Sequence, residues 1–272
     1  MSLKIAVTGH KGTIGKRLVE RGYTPLDCDI TKIAQTIDVV DRVAPDVIVH
    51  CAAMTSVAEC ENMEKEAFRV NVGGVVNVLE AFAGKFIYLS TVHVFDGTTR
   101  LWNFDYTEKS RPSGVNVYGL TKLSGEQVVK LWDNPYNIIR ISRTFDYNSL
   151  QPHLSYLGKY DNRNETLEFP TFIKRSFVHA DHLVEGIAYV AENNVNSDIL
   201  NISGTQTLSY YNFWIWVAKT FGIDEKRIIP RNHEIDDYPR PFRGGLDVSK
   251  AKKLGVPLYS AQDGLDLIKE QL

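Results

Sequence analysis

Short apolar runs alternate with longer segments of helical length along the first half of the chain. The runs are rich in β-branched and aromatic residues and have the length of buried strands. They cover residues 4–8, 23–26, 46–51, 85–90 and 136–142. Helices are predicted between them at residues 13–21, 32–43, 59–83 and 118–132, the third interrupted near Gly73 and Gly74. This alternation predicts an α/β fold with a doubly wound parallel sheet.

The pattern changes after Asp146. Residues 148–168 are polar and lack sustained periodicity, which predicts a lid or an excursion beside a binding site. Strand-then-helix character returns at 176–193, followed by a strand at 198–202, helices at 209–221, 249–254 and 261–271, and a basic loop at 237–245. We therefore predict a Rossmann-type domain over residues 1–147, with returning segments near 176–205, and a smaller C-terminal part over 148–272.

Composition and charge narrow the range of functions. The chain has 272 residues, of which 43% are hydrophobic and 24% charged, as is ordinary for a globular protein. A net charge of -2 gives no reason to expect nucleic acid or a membrane surface as a partner. No apolar run approaches the roughly 20 residues of a membrane span. Three cysteines without a C-x-x-C motif predict no metal site, and the lack of a signal-peptide pattern predicts a cytoplasmic location.

The segment GHKGTIG joins the first predicted strand to the first predicted helix. Its three glycines are placed for a tight turn, for close approach of the backbone to a pyrophosphate, and for packing of helix on strand. The helix N-terminus adds N–H donors and the positive end of its dipole. A flexible loop would also tolerate three glycines, but this position predicts dinucleotide binding. The predicted cofactor contacts in the loop are Gly9, Lys11, Gly12, Thr13, Ile14 and Gly15.

Further cofactor contacts are predicted after the second and third strands. Asp27 ends the second strand, where an acidic side chain commonly binds the adenosine ribose and repels a 2′-phosphate. Asp29 is a second candidate, although it could instead signal the start of the following helix. Lys11 favours a 2′-phosphate and so opposes Asp27. Ala52 and Ala53 leave the third strand, and their small side chains either admit a cofactor or serve packing.

Tyr118 and Lys122 lie four residues apart on a predicted helix, so their side chains share one face. An ammonium beside a phenol lowers the pKa of the phenol, which suits Tyr118 to proton transfer. Thr91 stands where the preceding strand ends, a usual place for ligand contacts in a parallel sheet. The Y-x-x-x-K spacing is also common in helices that have no catalytic role. Asn71, an amide in an apolar helix, is either a structural hydrogen-bond bridge or part of a proton relay.

Five motifs occur in a characteristic order: strand–GHKGTIG–helix, PDVIVHCAA, YLSTVHVFDG, YGLTK and SFVHADHL. In this order they resemble the extended short-chain dehydrogenases/reductases from end to end. Within that superfamily the chain most resembles the dTDP-4-dehydrorhamnose reductase family. That family's pattern runs PD-V-I-N-A-A-A-x-T, then S-T-D-Y-V-F-D-G, then Y-G-x-T-K-x-x-G-E.

The resemblance implies a reductase that uses NADPH or NADH. It implies that Tyr118 donates a proton to the carbonyl being reduced, that Lys122 holds the nicotinamide ribose, and that Thr91 hydrogen-bonds the carbonyl oxygen. Asn71 occupies the position of the family's relay asparagine. The implied substrate is a nucleotide-activated deoxysugar, and the implied process is polysaccharide biosynthesis.

Late arginines in this superfamily often bind the diphosphate of a nucleotide sugar. Arg175 and Arg240 stand in matching contexts, with Arg243 as a further candidate, and a surface arginine without this role is the alternative. Two other functions share the fold: a nucleotide-sugar epimerase or dehydratase that regenerates its cofactor, and a non-catalytic regulatory subunit. The oligomeric state stays open, with a homodimer as one option.

The chain departs from the family's pattern on the substrate side. Val92 and His93 stand where the family has aspartate and tyrosine, and Arg143 stands where it has tryptophan. Dehydration needs an acid and a base beside the threonine, so the missing carboxylate disfavours a dehydratase. All three residues are predicted to contact the substrate, and we expect a sugar other than the rhamnose precursor. Arg143 could instead pair with an acidic neighbour such as Asp146.

Overall fold

The computed structural model describes residues 3–98, 105–159, 166–193, 195, 198–233 and 238–272. Strands and helices alternate in its first half. The strands are β1 (Ile5–Thr8), β2 (Thr24–Pro25), β3 (Val47–His50), β4 (Lys85–Thr91) and β5 (Tyr136–Ile141). The helices are α1 (Thr13–Glu20), α2 (Ile33–Val43), α3 (Val57–Asn62), α4 (Glu64–Phe68), α5 (Gly74–Glu80) and α6 (Val117–Lys130). A π-helical turn, Arg69–Gly73, joins α4 to α5.

Shorter strands and further helices make up the second half. The strands are β6 (Arg143–Phe145), β7 (Leu167–Pro170), β8 (Lys174–His179), β9 (Ile199–Asn201), β10 (Thr207–Ser209), β11 (Ile228–Arg231) and β12 (Arg243–Gly244). The helices are α7 (Tyr147–Lys159), α8 (Ala180–Glu192), α9 (Tyr210–Phe221), α10 (Ser249–Lys253) and α11 (Ala261–Glu270). Where an element was predicted, its observed ends lie within three residues of the predicted ones. The helix predicted over 59–83 is, however, divided into α3, α4, the π-helical turn and α5, with a break at Met63 as well as near Gly73.

Six parallel strands form the central sheet in the order β2-β1-β3-β4-β5-β9. The register places Val49 of β3 beside Val7 of β1 and Ile87 of β4. The chain moves outward from β1 to β2 and then returns to place β3 on the other side of β1. Ligands of such sheets bind at this change of direction, at the carboxyl ends of the strands. The predicted doubly wound parallel sheet is confirmed.

Successive residues of a central strand pack against opposite helical layers. On β3, Val49 lies in one core with Leu18 of α1 and Leu183 of α8. Its neighbour Ile48 lies in a second core with Val78 of α5. Because both faces of the sheet are covered, its strands are apolar throughout, which explains why they appear in the sequence as unbroken apolar runs.

A third core lies in the C-terminal part of the chain. There β8 lies between β10 and β12 and also pairs with β6, while β7 pairs with β11. The core contains aromatic side chains from β6, β8 and α9 together with aliphatic side chains from α11. Its members include Phe145, Phe177, Phe213, Trp214 and Leu265. The division of the chain at residues 147 and 148 stays a prediction.

Helix α7 corrects the prediction of an aperiodic lid over residues 148–168. Leu150, Leu154 and Leu157 lie on one face of α7 and pack into the third core. The many polar residues between them concealed this helical spacing in the sequence. Asp146 and Ser149 begin the helix with reciprocal hydrogen bonds, each side chain accepting from the other's backbone N–H at 2.9 Å. Residues 160–165 of the predicted lid lie outside the described residues.

The predicted basic loop over residues 237–245 also needs correction. Its residues Arg243 and Gly244 form strand β12, which pairs with Lys174 and Arg175 of β8. Two glycines close to a proline and a phenylalanine gave no strand pattern, so only the pairing partner reveals this strand. Asp237 lies outside the described residues.

Candidate active site

A cavity of about 610 Å³ opens at the carboxyl ends of the central strands. It extends from the glycine loop after β1, past the segment after β2 and the exit of β3, to α6. All the residues predicted to bind the cofactor line it: Gly9, Lys11, Gly12, Thr13, Ile14, Gly15, Asp27, Asp29, Ala52, Ala53, Tyr118 and Lys122. The fold therefore brings these separate segments to one continuous surface.

The backbone of the glycine loop fits a pyrophosphate. Gly9 has a φ of +66°, and a Cβ there would lie 2.6 Å from the backbone nitrogen of Ala52. At Gly15 a Cβ would lie 2.8 Å from the carbonyl carbon of Gly9, so this glycine allows α1 to pack closely on the loop. At Gly12 a Cβ would meet only the Gly9 carbonyl oxygen, at 3.4 Å. Gly12 therefore faces the cavity and leaves room for a phosphate beside the helix N-terminus.

Lys11 and Asp27, which are predicted to favour different cofactors, form an ion pair. The Nζ of Lys11 lies 3.3 Å from Oδ1 of Asp27, and both side chains are largely exposed. Asp29 accepts hydrogen bonds from the backbone N–H of Thr31 at 3.0 Å and from its hydroxyl at 2.7 Å. These bonds hold the pKa of Asp29 below its usual value. Asp29 therefore stabilises a turn before α2, whose N-cap is Lys32, so the alternative reading of Asp29 as a helix cap is wrong.

Arg69 is a cavity residue that the sequence analysis missed. It lies on the π-helical turn, forms a bidentate ion pair with Glu66, and donates to the Thr31 hydroxyl at 2.7 Å. It thereby places a guanidinium at the same end of the cavity as Asp27. An arginine in a helical segment carries no sequence signal for this position, because the π-helical turn determines where it lies.

Thr91 and Tyr118 meet at the other end of the cavity. Thr91 ends β4, and Tyr118 lies in the first turn of α6. Burial raises the pKa of Tyr118 to about 12, and the nearby Thr91 side chain offsets only part of this rise. The expected lowering of this pKa by Lys122 is therefore not observed, since burial has the larger effect.

Lys122 is almost fully buried, one helical turn after Tyr118. Burial lowers its pKa to about 7, while the nearby Glu126 and Cys51 raise it. Its Nζ lies 4.0 Å from the centre of the Tyr88 ring, a cation–π contact. A lysine in this environment changes charge near neutral pH.

The side chain of Asn71 bridges the loop after β3 and helix α6. Its Oδ1 accepts from the backbone N–H of Met54 at 2.7 Å, and its Nδ2 donates to the Met54 carbonyl and to the Thr121 hydroxyl, both at 2.9 Å. These contacts favour the structural reading of Asn71. A part in a proton relay stays a prediction.

His93 lies against Tyr118 and is held as a neutral ring. The ring centres are 5.5 Å apart, edge to face. Asn116 accepts from Gly119 N–H through Oδ1, so its Nδ2 faces Nδ1 of His93 at 3.2 Å and donates to it. Burial lowers the pKa of His93 to about 3. Sequence analysis missed Asn116, which becomes recognisable only as the N-cap of α6.

The arginines predicted to bind substrate lie near enough to His93 to act on it electrostatically. The charges of Arg175, Arg240 and Arg143 all lower the pKa of this histidine. Arg175 is buried, with Nη1 donating to the carbonyl oxygen of Lys174 at 2.7 Å. The surface alternative is therefore wrong for Arg175, whereas Arg240 and Arg143 are exposed.

Two expectations about the substrate side need correction. Val92 is fully buried, in a small core with Val94, Phe95 and other apolar residues, so its side chain is not placed to contact a substrate. Asp146, the suggested partner of Arg143, is instead paired with Arg17 at 3.0 Å. Among the described residues Arg143 forms no ion pair, and the carboxylate of Asp146 is occupied by Arg17.

Two further absences hold for the described residues. None of their helices is both long and apolar enough to cross a membrane. Among the same residues, no three histidine, cysteine or acidic side chains are grouped as they would be to hold a metal ion.

The amino-acid sequence is similar to a known protein family and to individual proteins of known name. A model of the protein family described as the RmlD substrate binding domain matches residues 3–272. A dTDP-4-dehydrorhamnose reductase of Sinorhizobium fredii is 28% identical over 265 residues, covering 89% of this chain and 86% of the relative. Methionine adenosyltransferase 2 subunit beta of Xenopus laevis is 26% identical over 285 residues, covering 94% of this chain and 83% of the relative.

A solved structure shows the same fold over the whole chain. The crystal structure of dTDP-4-dehydrorhamnose reductase from Bacillus anthracis, in complex with NADP, has a TM-score of 0.90. It is 26% identical, and the match covers 100% of both chains.

Proposed function

Because the chain belongs to the RmlD substrate binding domain family, we propose that it is an NADPH- or NADH-dependent reductase of a keto group on a nucleotide-activated deoxysugar. The observation that carries the proposal is that Tyr118 and Lys122, one turn apart on α6, both line the cavity, with Thr91 at the end of β4 close enough to influence the Tyr118 phenol. The relatives named dTDP-4-dehydrorhamnose reductase and the NADP-bound structure support the same class of reaction.

The side chains of the site supply the proton of the reduction. When bound, the nicotinamide cofactor supplies the hydride, which adds to the carbonyl carbon. Tyr118 is protonated at neutral pH, since its pKa is about 12, and donates its phenolic proton to the carbonyl oxygen as negative charge develops there. The Thr91 hydroxyl holds the same oxygen in place. Hydride on carbon and proton on oxygen together give the alcohol, and solvent then reprotonates Tyr118.

Lys122 has two roles in this scheme. In its charged form it stabilises the phenolate that Tyr118 becomes, and it would hold the ribose hydroxyls of the cofactor. Because burial lowers its pKa to about 7, the fraction that is charged falls as the pH rises above neutrality. The glycine loop would hold the pyrophosphate of the same cofactor.

The guanidinium groups around His93 would bind the diphosphate of the substrate. Arg175 and Arg240 are the first candidates, because a guanidinium matches phosphate oxygens in bidentate geometry. Arg143 would face the sugar, where it suits a polar or anionic substituent. We therefore expect Arg143→Trp to raise kcat/KM for a dTDP-4-keto-6-deoxysugar. Unchanged or lower kcat/KM in this variant would contradict an altered sugar preference.

A regulatory subunit is the alternative that the comparisons raise. The relative named methionine adenosyltransferase 2 subunit beta is similar to this chain to about the same degree as the reductase. The complete set of Thr91, Tyr118 and Lys122 beside the cavity favours the reductase. We also propose a cytoplasmic location, which the free thiols of Cys28, Cys51 and Cys60 support.

Stoichiometry tests the proposed function. Purified protein is mixed with NADPH or NADH and a dTDP-4-keto-6-deoxysugar, and both oxidised cofactor and hydroxysugar are quantified. The reductase proposal expects one cofactor oxidised per hydroxysugar formed. An epimerase would convert sugar without net oxidation, and a regulatory subunit would bind the cofactor without turnover. Either of those results would refute the proposal.

A further inference from the structure

Glu126 of α6 is a buried carboxylate at the meeting point of three elements. Its Oε1 accepts from Ser90 Oγ at 2.6 Å and from Arg140 Nε at 2.8 Å. Its Oε2 accepts from Arg140 Nη2 at 2.6 Å. The side chains of Glu126 and Arg140 are 0% and 1% exposed. The carboxylate is thus fully buried and bonded on both oxygens, which fixes its position.

The partners of Glu126 all lie next to the proposed catalytic groups. Ser90 precedes Thr91 on β4, and Arg140 lies beside Ser90 in the register of β4 with β5. Glu126 itself follows Lys122 by one turn of α6. One carboxylate therefore connects the strand that ends in Thr91 to the helix that carries the proton donor and the lysine.

We propose that Glu126, held by Arg140, is a positioning residue that fixes the relative positions of Thr91 and Tyr118 and places a carboxylate one helical turn from Lys122. The proposal rests on the proposed function, because it assigns the residue a part in the same reaction. A buried ion pair adds little net stability compared with apolar side chains of similar volume. Stability alone therefore gives no reason for this pair, whereas its links to Ser90 and Lys122 do.

The other groups that face Lys122 do not replace the charge of Glu126. Cys51 follows β3, and burial raises the pKa of its thiol to about 12. His50 of β3 is neutral, because burial and the charge of Lys122 lower its pKa to about 3. Tyr88 of β4 offers the face of its ring. Of the described side chains that shift the pKa of Lys122, Glu126 is the one that carries a carboxylate.

A direct titration of Lys122 tests the electrostatic half of the proposal without cofactor or substrate. The protein is labelled with ¹³C at lysine Cε, and the Lys122 signal is assigned by its loss in Lys122→Met. We expect the midpoint to lie near 7 in the wild type. In Glu126→Gln/Arg140→Gln it should move down by about one pH unit, because Glu126 raises the pKa of Lys122 whereas Arg140 is not among the groups that shift it. Glu126→Asp alone, which keeps a carboxylate beside Arg140, should keep the Lys122 midpoint close to that of the wild type.

Turnover tests the positioning half. The double variant replaces both partners, so it leaves no unpaired buried charge, and its melting temperature shows whether it is folded. We expect kcat to fall at least about tenfold with little change in KM, as for a lost transition-state contact. Glu192→Gln, which breaks an ion pair with Arg21 away from the cavity, is the matched control and should keep the wild-type kcat. A folded double variant with the wild-type midpoint and kcat would overturn the proposal, whereas absent turnover in the wild type itself would refute only the proposed function.

Discussion

Two glycines of the phosphate loop differ in what an added methyl group would meet. At Gly15 a Cβ would lie 2.8 Å from the carbonyl carbon of Gly9 and 2.9 Å from the Cα of His10. Both are backbone atoms, which cannot rotate away. At Gly12 the nearest atom is the Gly9 carbonyl oxygen at 3.4 Å, so the methyl group would occupy the cavity instead. Alanine at the two positions should therefore have separable effects.

Gly15→Ala should weaken both the fold and cofactor binding. Overpacking typically costs about 1–3 kcal/mol. For a chain of this size that corresponds to a fall in melting temperature of roughly 2–6 °C. Gly12→Ala should leave the melting temperature within about 2 °C of wild type and weaken NADPH binding at least about tenfold, or about 1.4 kcal/mol. The reason is that only its methyl group blocks the approach of the pyrophosphate.

Differential scanning calorimetry and cofactor titration by tryptophan fluorescence give the two measurements. Gly73→Ala is the control for alanine itself, because a Cβ there meets nothing within 4 Å. It should leave NADPH binding unchanged and, because alanine favours a helical turn more than glycine does, raise the melting temperature by no more than about 2 °C. If Gly12→Ala bound NADPH as tightly as wild type, the assignment of this loop to the pyrophosphate would be wrong. A wild-type melting temperature for Gly15→Ala would instead refute the close packing of α1 on the loop.

Other predictions follow from charges in the cavity. Between pH 7 and about 8.5 the unfolded chain binds more protons at Lys122 than the folded protein does, so the free energy of unfolding should rise with pH there. At higher pH the buried thiol of Cys51, whose pKa is raised to about 12, contributes a slope of the opposite sign. The rising slope, up to about 1.4 kcal/mol per pH unit, should disappear in Lys122→Met, as urea unfolding at several pH values would show or disprove. Lys11→Ala should shift the cofactor preference towards NADH, and Asp27→Ala towards NADPH, because each change frees the other member of the ion pair. The shift is measured as the ratio of the NADH and NADPH dissociation constants. The same ratio in the wild type and in both variants would mean that neither Lys11 nor Asp27 contacts the adenosine ribose.

The sequence was sufficient for the central sheet and for the order of the cofactor-binding segments. Strands buried on both faces appear as apolar runs, and the glycine loop has fixed spacing between a strand and a helix. It was insufficient where long-range packing decides the structure. Helix α7 is revealed by three leucines that meet a distant core, and Arg69 reaches the cavity through a π-helical turn. Val92 follows Thr91, the threonine proposed to hold the carbonyl oxygen, but its side chain lies in a separate core.

The proton donor is the central claim, and Tyr118→Phe tests it most directly. The change removes one hydroxyl and keeps the ring against His93. We predict that kcat for reduction of a dTDP-4-keto-6-deoxysugar falls by about 10²–10⁴-fold, as is typical for the loss of a general acid. The NADPH dissociation constant, measured on the same preparation, should stay within about twofold of wild type. A variant that bound NADPH normally and kept more than about a tenth of the wild-type kcat would contradict the account.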